Sequence, residues 1–281
     1  MNEMLFVESA ADVSDVTDVS DAVTARSRPR AARRVVSIKP AAPVLPAPNR
    51  PAGAHGAWTI QCDFDGTISV EDVTDSLLQR FGKPGWQELE DAWERGDIGS
   101  RECMKVQVAL LDMSLAELDA HLATIQVDPH FAAFARTAQA MGLPVQVVSD
   151  GIDHCISTVL AQHGLGDLPV FANRLVQTGE RSWQLQSPHA NAACVRASGN
   201  CKCERAAGAQ EDGRRVLFVG DSTSDFCVSA KADFVFAKYK LIEHCRSRGI
   251  AHAVYADFAE ALALLPATVE RRETADASIA A

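Results

Sequence analysis

The feature that most constrains the fold is a series of short apolar runs that alternate with segments of helical periodicity. The predicted strands are 58–65, 143–150, 215–222, 232–238 and 251–257. Apolar runs of this length between helical segments are typical of a parallel sheet with helices on both faces. A hairpin with strands 170–177 and 183–187 is predicted at the flank of this sheet. The sequence therefore predicts a doubly wound α/β fold with a mostly parallel, Rossmann-like sheet.

One long segment, 70–128, interrupts this alternation. It contains no strand pattern, and its apolar residues recur at the spacing of amphipathic helices. Because it leaves the fold directly after the first strand, it is expected to lie over the carboxyl edge of the sheet, where such folds bind ligands. We therefore predict a helical cap at 70–128 and a catalytic core formed by 57–69 and 129–266. The alternative is a helical domain with no role in the site.

Both ends of the chain differ in composition from this core. Residues 1–56 combine an acidic stretch, an arginine cluster at 26–34 and a Pro- and Ala-rich stretch, which together do not bury enough apolar area to fold. This segment is predicted to be a disordered tail, with an arginine-rich arm for an acidic partner as the less favoured alternative. Residues 267–281 are polar and Ala-rich and are also predicted to be a disordered tail.

The first predicted strand ends in two aspartates, Asp63 and Asp65, which are followed by Gly66 and Thr67. Strand alternation places both carboxylates on the same side, and charges so close together need a cation or a shared proton. Mg²⁺ supplies that charge and leaves room for a phosphate. One carboxylate can then attack phosphorus while the other transfers protons, and the backbone N–H groups of Gly66 and Thr67 can hold phosphate oxygens. The alternative is a turn that these residues only cap.

A second acidic turn follows the strand 215–222. Asp221 is expected to face the same edge as Asp63 and to provide a third oxygen ligand for the metal. Asp225 begins a helix and could orient a cation or water, with Ser222 supporting the turn. Capping of the helix by Ser222 or Ser224 is compatible with this role.

Two further positions carry weaker signals. Ser149 and Asp150 lie at the end of the strand 143–150, where they are predicted to contact phosphate. Lys202 lies between two cysteines, an uncommon setting for a surface lysine, and could neutralise the nucleophile and the phosphate together. A single serine at a strand end is weak evidence for a site, and a single lysine is more often a surface residue than part of a site.

In this order, the motifs DFDGT at 63–67, a strand ending in Ser149, Lys202 and GDSTSD at 220–225 resemble those of the haloacid-dehalogenase-like phosphatases. The resemblance covers about 58–265. It implies that Asp63 is the nucleophile and Asp65 the general acid and base. An aspartate two residues after the nucleophile is the phosphatase pattern within this family.

The resemblance also implies a ligand set and supporting roles. Asp63, the backbone carbonyl of Asp65 and Asp221 would bind Mg²⁺. The phosphate would be held by Thr67 and Ser149. Lys202 would stabilise charge, and Asp225 would support Lys202 or the metal shell.

Within the family, the position of the helical segment resembles the phosphoserine phosphatase branch. That branch has an arginine in the cap that holds the substrate carboxylate, and the aligned residue here is Gln107, which cannot make the bidentate charged pair. The segments 187–194 and 239–261 resemble instead the methionine-salvage phosphatases, which act on an enol phosphate. We therefore expect hydrolysis of a small-metabolite phosphate monoester, with phosphoserine hydrolysis and phosphate transfer as alternatives.

Charge and cysteine content limit the partners and the compartment. The net charge of −10 argues against a nucleic-acid footprint, and no apolar run is long enough to span a membrane. The expected partner is a small phosphorylated metabolite, neither nucleic acid nor a membrane is expected, and a homodimer is one assembly that the sequence permits. The start lacks the pattern of a secretory signal, so the expected location is cytoplasmic. The cysteines are predicted to be reduced thiols, with zinc at His189, Cys194, Cys201 and Cys203 as the less favoured alternative.

Overall fold

The structure is a computed structural model that describes the backbone of residues 57–279 and the side chains of residues 57–270. The predicted tail at 1–56 and its arginine cluster lie outside the described residues. In the described part of the chain, seven strands form one sheet, in the order β4-β3-β2-β1-β5-β6-β7. The strands are β1 Trp58–Cys62, β2 Val145–Ile152, β3 Val170–Gly179, β4 Ser182–Gln186, β5 Arg215–Gly220, β6 Phe234–Ala237 and β7 His252–Val254.

The sheet is mostly parallel, which confirms the predicted fold class. Only β4 runs antiparallel, as the second strand of the hairpin with β3. All five residues of β1 are buried, because helices cover both faces of the sheet. Cys62, the last residue of β1, pairs with Val147 of β2 on one side and with Val219 of β5 on the other. This register brings the carboxyl ends of three strands to one edge.

Ten α-helices occur in the described residues. Four of them occupy the segment between β1 and β2 that was predicted to be helical: α1 Val73–Phe81, α2 Trp86–Arg95, α3 Ser100–Ala109 and α4 Leu115–Leu122. The others are α5 Phe131–Ala140, α6 Asp153–Gln162, α7 Lys202–Glu211, α8 Phe226–Ser229, α9 Lys240–Arg248 and α10 Phe258–Ile279, with a 3₁₀ turn at Thr223–Asp225 before α8.

The four-helix segment leaves and rejoins the rest of the chain at one place. Val70 N–H donates to the Gln126 carbonyl at 2.9 Å, and Asp128 N–H donates to the Ile68 carbonyl at 2.9 Å. The two ends of the segment are thus tied to each other. Its helix α3 packs against β4 and its helix α4 packs against α6. These contacts describe an insertion between β1 and β2, whereas its action as a cap stays a prediction.

The C-terminal end differs from the sequence prediction. A disordered tail was expected from residue 267, but α10 continues to Ile279 with Pro266 inside it. Its buried Val269 belongs to the main core, and Phe258 near its start lies 4.8 Å from Phe131 between ring centroids. The prediction was wrong because it followed the polar composition of the segment. The segment contains many alanines, which are the best helix formers, and the helix to which it belongs packs against α5.

Candidate active site

The site is built where β1, β2 and β5 end together. Asp63 directly follows β1, and its backbone N–H donates to the Val219 carbonyl of β5 at 2.9 Å. The Asp63 side chain is buried, and its Oδ1 accepts the Phe64 N–H at 2.8 Å. Asp63 is therefore fixed at the sheet edge by a backbone hydrogen bond to β5 and by a hydrogen bond between its side chain and the N–H of the next residue.

A buried lysine connects two of the predicted site residues. Lys202 Nζ lies 2.7 Å from Asp63 Oδ1 and 2.7 Å from Asp225 Oδ1. The other oxygen of Asp225 accepts the Asp221 N–H at 2.9 Å and the Ser222 N–H at 3.3 Å. Asp225 therefore positions both the ammonium group and the turn after β5, in which Ser222 completes the cap.

The two acidic turns contact each other directly. Thr67 Oγ1 donates to Asp221 Oδ1 at 3.2 Å. Gly66 has a φ of +70°, and a Cβ atom there would lie 2.8 Å from Asp221 Oδ2. A glycine is required at this position both by the left-handed backbone and by the approach of the carboxylate.

Asp65 lies on the side of the site that faces the helical insertion. Its Oδ1 accepts the N–H of Val73, the first residue of α1, at 2.9 Å. Its Oδ2 accepts from Ser149 Oγ at 3.4 Å, and Ser149 Oγ in turn accepts the Gly151 N–H at 2.9 Å. The structure therefore brings Ser149 to the acid–base candidate Asp65.

The Asp150 carboxylate is held by other segments of the protein. It accepts hydrogen bonds from Asn200 N at 2.9 Å, from Asn173 Nδ2 at 3.2 Å and from Ser100 Oγ. Asn200 Nδ2 also donates to the Ser149 carbonyl at 2.8 Å. These bonds give the carboxylate a structural role that joins β2, β3, α3 and the loop before α7, which the sequence reasoning did not foresee.

Lys238, a second buried lysine at the site, was not predicted from the sequence. Lys238 Nζ donates to the Thr67 carbonyl at 3.0 Å, and its charge opposes the rise in the pKa of Asp221. A sequence signal existed, since Lys238 is a charged residue at the carboxyl end of the apolar run 232–238. The residues that follow the strands at this edge of the sheet form the site, and Lys238, which follows β6, is one of them.

Burial controls the proton affinities in this group. Burial, followed by the charge of Asp225, raises the pKa of Asp63 well above its usual range, although Lys202 opposes this. Burial also raises the pKa of Asp65 to about 6 and that of Asp221 to about 6. For Lys202, burial alone would lower the pKa, but the charges of Asp225 and Asp63 outweigh it and raise the pKa. Lys202 is therefore charged. Its single charge does not balance the nearby carboxylates, because the pKa values of Asp63 and Asp221 stay raised, so a further cation would stabilise their charged forms.

The donor set suits a hard divalent cation. Oxygens of Asp63, Asp221 and Asp225 all lie within 4.8 Å of one another, and all three residues are buried. Carboxylate oxygens are the ligands that Mg²⁺ prefers. The Asp65 side chain is outside this group, so its predicted metal contact would be made by its backbone carbonyl.

The cysteines do not form a zinc site as they are placed. Among the side chains of residues 57–270, the aspartate group is the one set of three or more potential ligands with atoms within 4.8 Å of one another. The eight cysteines of the chain are all free in the structure. The His189 ring packs edge-on against Phe171 at 5.7 Å.

Comparison with known proteins identifies the class. The family model of the haloacid dehalogenase-like hydrolases matches residues 60–229, more than half of the chain. The chain therefore belongs to the haloacid dehalogenase-like hydrolase family. It is also similar to a solved structure named a phospho-aspartyl intermediate analogue of phosphoserine phosphatase, with 19% identity and a TM-score of 0.57 over 74% of this chain and 98% of that one. At this identity the likeness concerns the fold.

Curated relatives narrow the class to phosphatases. The chain is 32% identical to the 2-hydroxy-3-keto-5-methylthiopentenyl-1-phosphate phosphatase of Exiguobacterium sp., over 70% of this chain and 92% of the relative. It is also 32% identical to the enzyme of the same name from Geobacillus kaustophilus, over 70% of this chain and 90% of the relative. These likenesses confirm the prediction of a phosphoric monoester hydrolase. No helix in the described part of the chain is long and apolar enough to cross a membrane.

Proposed function

We propose that the protein is a Mg²⁺-dependent phosphatase that forms an aspartyl phosphate on Asp63. The observation that carries this proposal is the buried pair of Asp63 and Lys202 at the edge where three strands end. A carboxylate held against an ammonium group and next to further acids is suited to attack phosphorus when a cation balances the charge. A buried acid whose pKa is strongly raised next to a specific charged partner marks a candidate functional site.

Asp63, Asp221 and the backbone carbonyl of Asp65 would hold the metal ion. When bound, Mg²⁺ supplies positive charge that offsets the negative charge of the transferred phosphoryl group. Asp225, which already pairs with Lys202 and the Asp221 N–H, would keep these groups in position.

The chain itself supplies the remaining chemistry. The hydrogen bonds of Asp63 to Phe64 and Lys202 use Oδ1, and we assign Oδ2 as the atom that attacks phosphorus. Asp65 protonates the leaving oxygen and then takes a proton from the water that cleaves the aspartyl phosphate. A pKa of about 6 allows Asp65 to act in both directions near neutral pH.

The phosphate must be held while these steps occur. Lys202 contributes positive charge next to the attacking carboxylate. The N–H groups of Gly66 and Thr67 and the Ser149 hydroxyl are the proposed contacts of the phosphoryl oxygens. The Asp150 carboxylate is excluded from this set because its oxygens accept bonds from other segments.

For the substrate, we propose the enol phosphate named in the curated relatives, 2-hydroxy-3-keto-5-methylthiopentenyl 1-phosphate. The contacts of Gln107 support this choice over phosphoserine. Gln107 is buried, and its Nε2 donates to Glu90 Oε2 at 3.0 Å. Asp75, on α1, also lies near enough to Asp65 to raise its pKa. The acids Glu90 and Asp75 would repel an additional carboxylate on the substrate, whereas they would not repel a neutral thioether chain.

The test is phosphate release from phosphoserine, phosphocholine and the enol phosphate, with Mg²⁺ and the full chain. We expect the highest kcat/KM with the enol phosphate. Asp63→Asn should abolish release and the mass increase of one phosphoryl group on the protein, whereas the surface control Asp167→Asn should keep both. Residual turnover in folded Asp63→Asn would exclude Asp63 as nucleophile.

Other results of the same panel would redirect the proposal. A preference for phosphoserine would refute the substrate assignment and leave the mechanism intact. Loss of substrate without free phosphate, with phosphate appearing on an alcohol acceptor, would make the enzyme a phosphotransferase.

A further inference from the structure

Four thiols line one cleft next to Lys202. Cys194, Cys201 and Cys203 come from the loop before α7 and its first turn, and Cys227 comes from α8. The proposed phosphatase chemistry uses none of them. Because the four thiols share one cleft, two of them could form a disulfide with each other.

Cys194 and Cys201 line the same cleft. Each thiol influences the pKa of the other, and Cys194 Sγ lies 3.2 Å from Ser198 Oγ. Cys201 is only 5% exposed, while Cys194 is half-buried and so accessible from the cleft. Because both side chains face one cleft, a local movement of the loop between them can bring the sulfurs to the bond length of about 2.05 Å.

The two sulfurs differ in their proton affinity. For Cys194, burial would raise the pKa, but hydrogen bonds from the Ser198 hydroxyl, from the N–H groups of Ser198 and Arg196 and from Cys201 outweigh it and lower the pKa. For Cys201, burial and the charge of Cys194 raise the pKa. Cys194 is therefore the thiol that loses its proton more readily, as reactive cysteines do, and Cys201 lines the same cleft as its partner.

We propose that Cys194 and Cys201 are a redox-active pair that hydrogen peroxide converts to a disulfide. The Cys194 thiolate attacks one peroxide oxygen, the O–O bond breaks, and the product is a sulfenic acid with a hydroxide that becomes water on protonation. Cys201 then loses its proton, its sulfur attacks Cys194, and the sulfenic oxygen leaves as water. In total, two thiols and one peroxide give one disulfide and two water molecules, with two electrons passing from sulfur to oxygen.

The disulfide would alter the surroundings of Lys202. Cys201 immediately precedes Lys202 and α7, and its N–H donates to the His189 carbonyl at 3.1 Å. On the other side, the loop that follows Cys194 is held to α3, since Arg101 N–H donates to the Ala197 carbonyl at 3.1 Å. Drawing the two sulfurs together therefore strains either this loop or the start of α7. We expect a reversible fall in phosphatase activity, an effect that rests on the proposed role of Lys202.

The sequence provides a clear assay for the pair. Trypsin cleaves after Arg181, Arg196 and Lys202, so the peptide 182–196 contains Cys194 and the peptide 197–202 contains Cys201, with no other cysteine in either. The full-length protein is treated with hydrogen peroxide, its remaining thiols are alkylated under denaturing conditions, and the digest is analysed by mass spectrometry without reductant. We expect these two peptides to be linked, and dithiothreitol to separate them.

Variants make the result decisive. Cys194→Ser and Cys201→Ser should each abolish the link, whereas Cys227→Ser, which removes a thiol from the same cleft, should retain it. Overoxidised Cys194 without a link, or a link to Cys203 or Cys227 instead, would overturn the pair. A complete link with unchanged turnover would overturn the effect on Lys202 alone, and a chain with no phosphatase activity would still report on the disulfide.

Discussion

The substitution Asp221→Asn is expected to stabilise the metal-free protein while it abolishes activity. Burial, followed by the charge of Asp225, raises the pKa of Asp221 from 3.8 to about 6. The folded state thus binds this proton more tightly than the unfolded chain does. The stability that the proton provides is complete below about pH 4 and is lost as the pH rises through about 6. Asparagine keeps the shape and the acceptor oxygen for Thr67, but it cannot ionise.

The size of the effect follows from the shift. A rise of about two pKa units costs the folded protein about 3 kcal/mol once the carboxylate is charged. Urea denaturation in EDTA at pH 7.5 should therefore give Asp221→Asn a higher free energy of unfolding by up to about 3 kcal/mol, and by about half as much at pH 5. In thermal unfolding this corresponds to an increase in Tm of roughly 6–12 °C.

Two comparisons test the reasoning. The control Asp167→Asn removes an exposed carboxylate whose pKa is lowered by a hydrogen bond from Arg136, so it should not stabilise. Mg²⁺ should stabilise the wild type at pH 7.5 and have much less effect on Asp221→Asn, because a ligand is missing. If Asp221→Asn were no more stable than the wild type in EDTA at pH 7.5, the ionised carboxylate of Asp221 would not destabilise the folded protein, and the explanation would be refuted.

Three further predictions concern the same site. Lys202→Met should lower kcat by roughly 10²–10³-fold and should destabilise the fold, because Asp63 loses its buried partner; steady-state kinetics and urea denaturation would measure the two effects. Gly66→Ala should destabilise more than Gly164→Ala, since both have a φ of +70° but only the first new methyl group would meet a carboxylate; equal losses in Tm would contradict this. The rate of phosphoenzyme hydrolysis should rise as the pH increases through about 6, where Asp65 loses its proton, and Asp65→Asn should remove that dependence in single-turnover measurements.

The sequence predicted the parts of the site that follow from local pattern. Asp63 and Asp221 each come directly after or close to the end of an apolar strand, and parallel strands bring such residues to one edge. The hydrogen bonds of Asp150 and the contact of Lys238 with Thr67 could not be read in this way. Each joins segments far apart in the chain, and their pairing depends on how the loops pack after the sheet has formed.

In the helix α10, by contrast, the local composition itself was misleading. From residue 267 onwards its polar and Ala-rich sequence resembles a frayed tail, and the packing of Val269 and of the preceding helical turns against the core distinguishes it from one. Gln107 is similar, because its sequence position suggests a substrate contact while its neighbour Glu90 is found only in the folded structure.

The position of β1 in the sheet has a consequence for the time course of folding. Among the described strands β1 is synthesised first. Its partner β2 follows only after the helical insertion, and β5 follows only after most of the chain. The contact between Thr67 and Asp221 spans 154 residues. Long-range pairings of this kind form slowly, so the nucleophile exists for much of synthesis without the groups that make it reactive. Catalytic activity should therefore appear only with the last steps of folding, and its recovery after dilution from urea would mark completion of the central sheet.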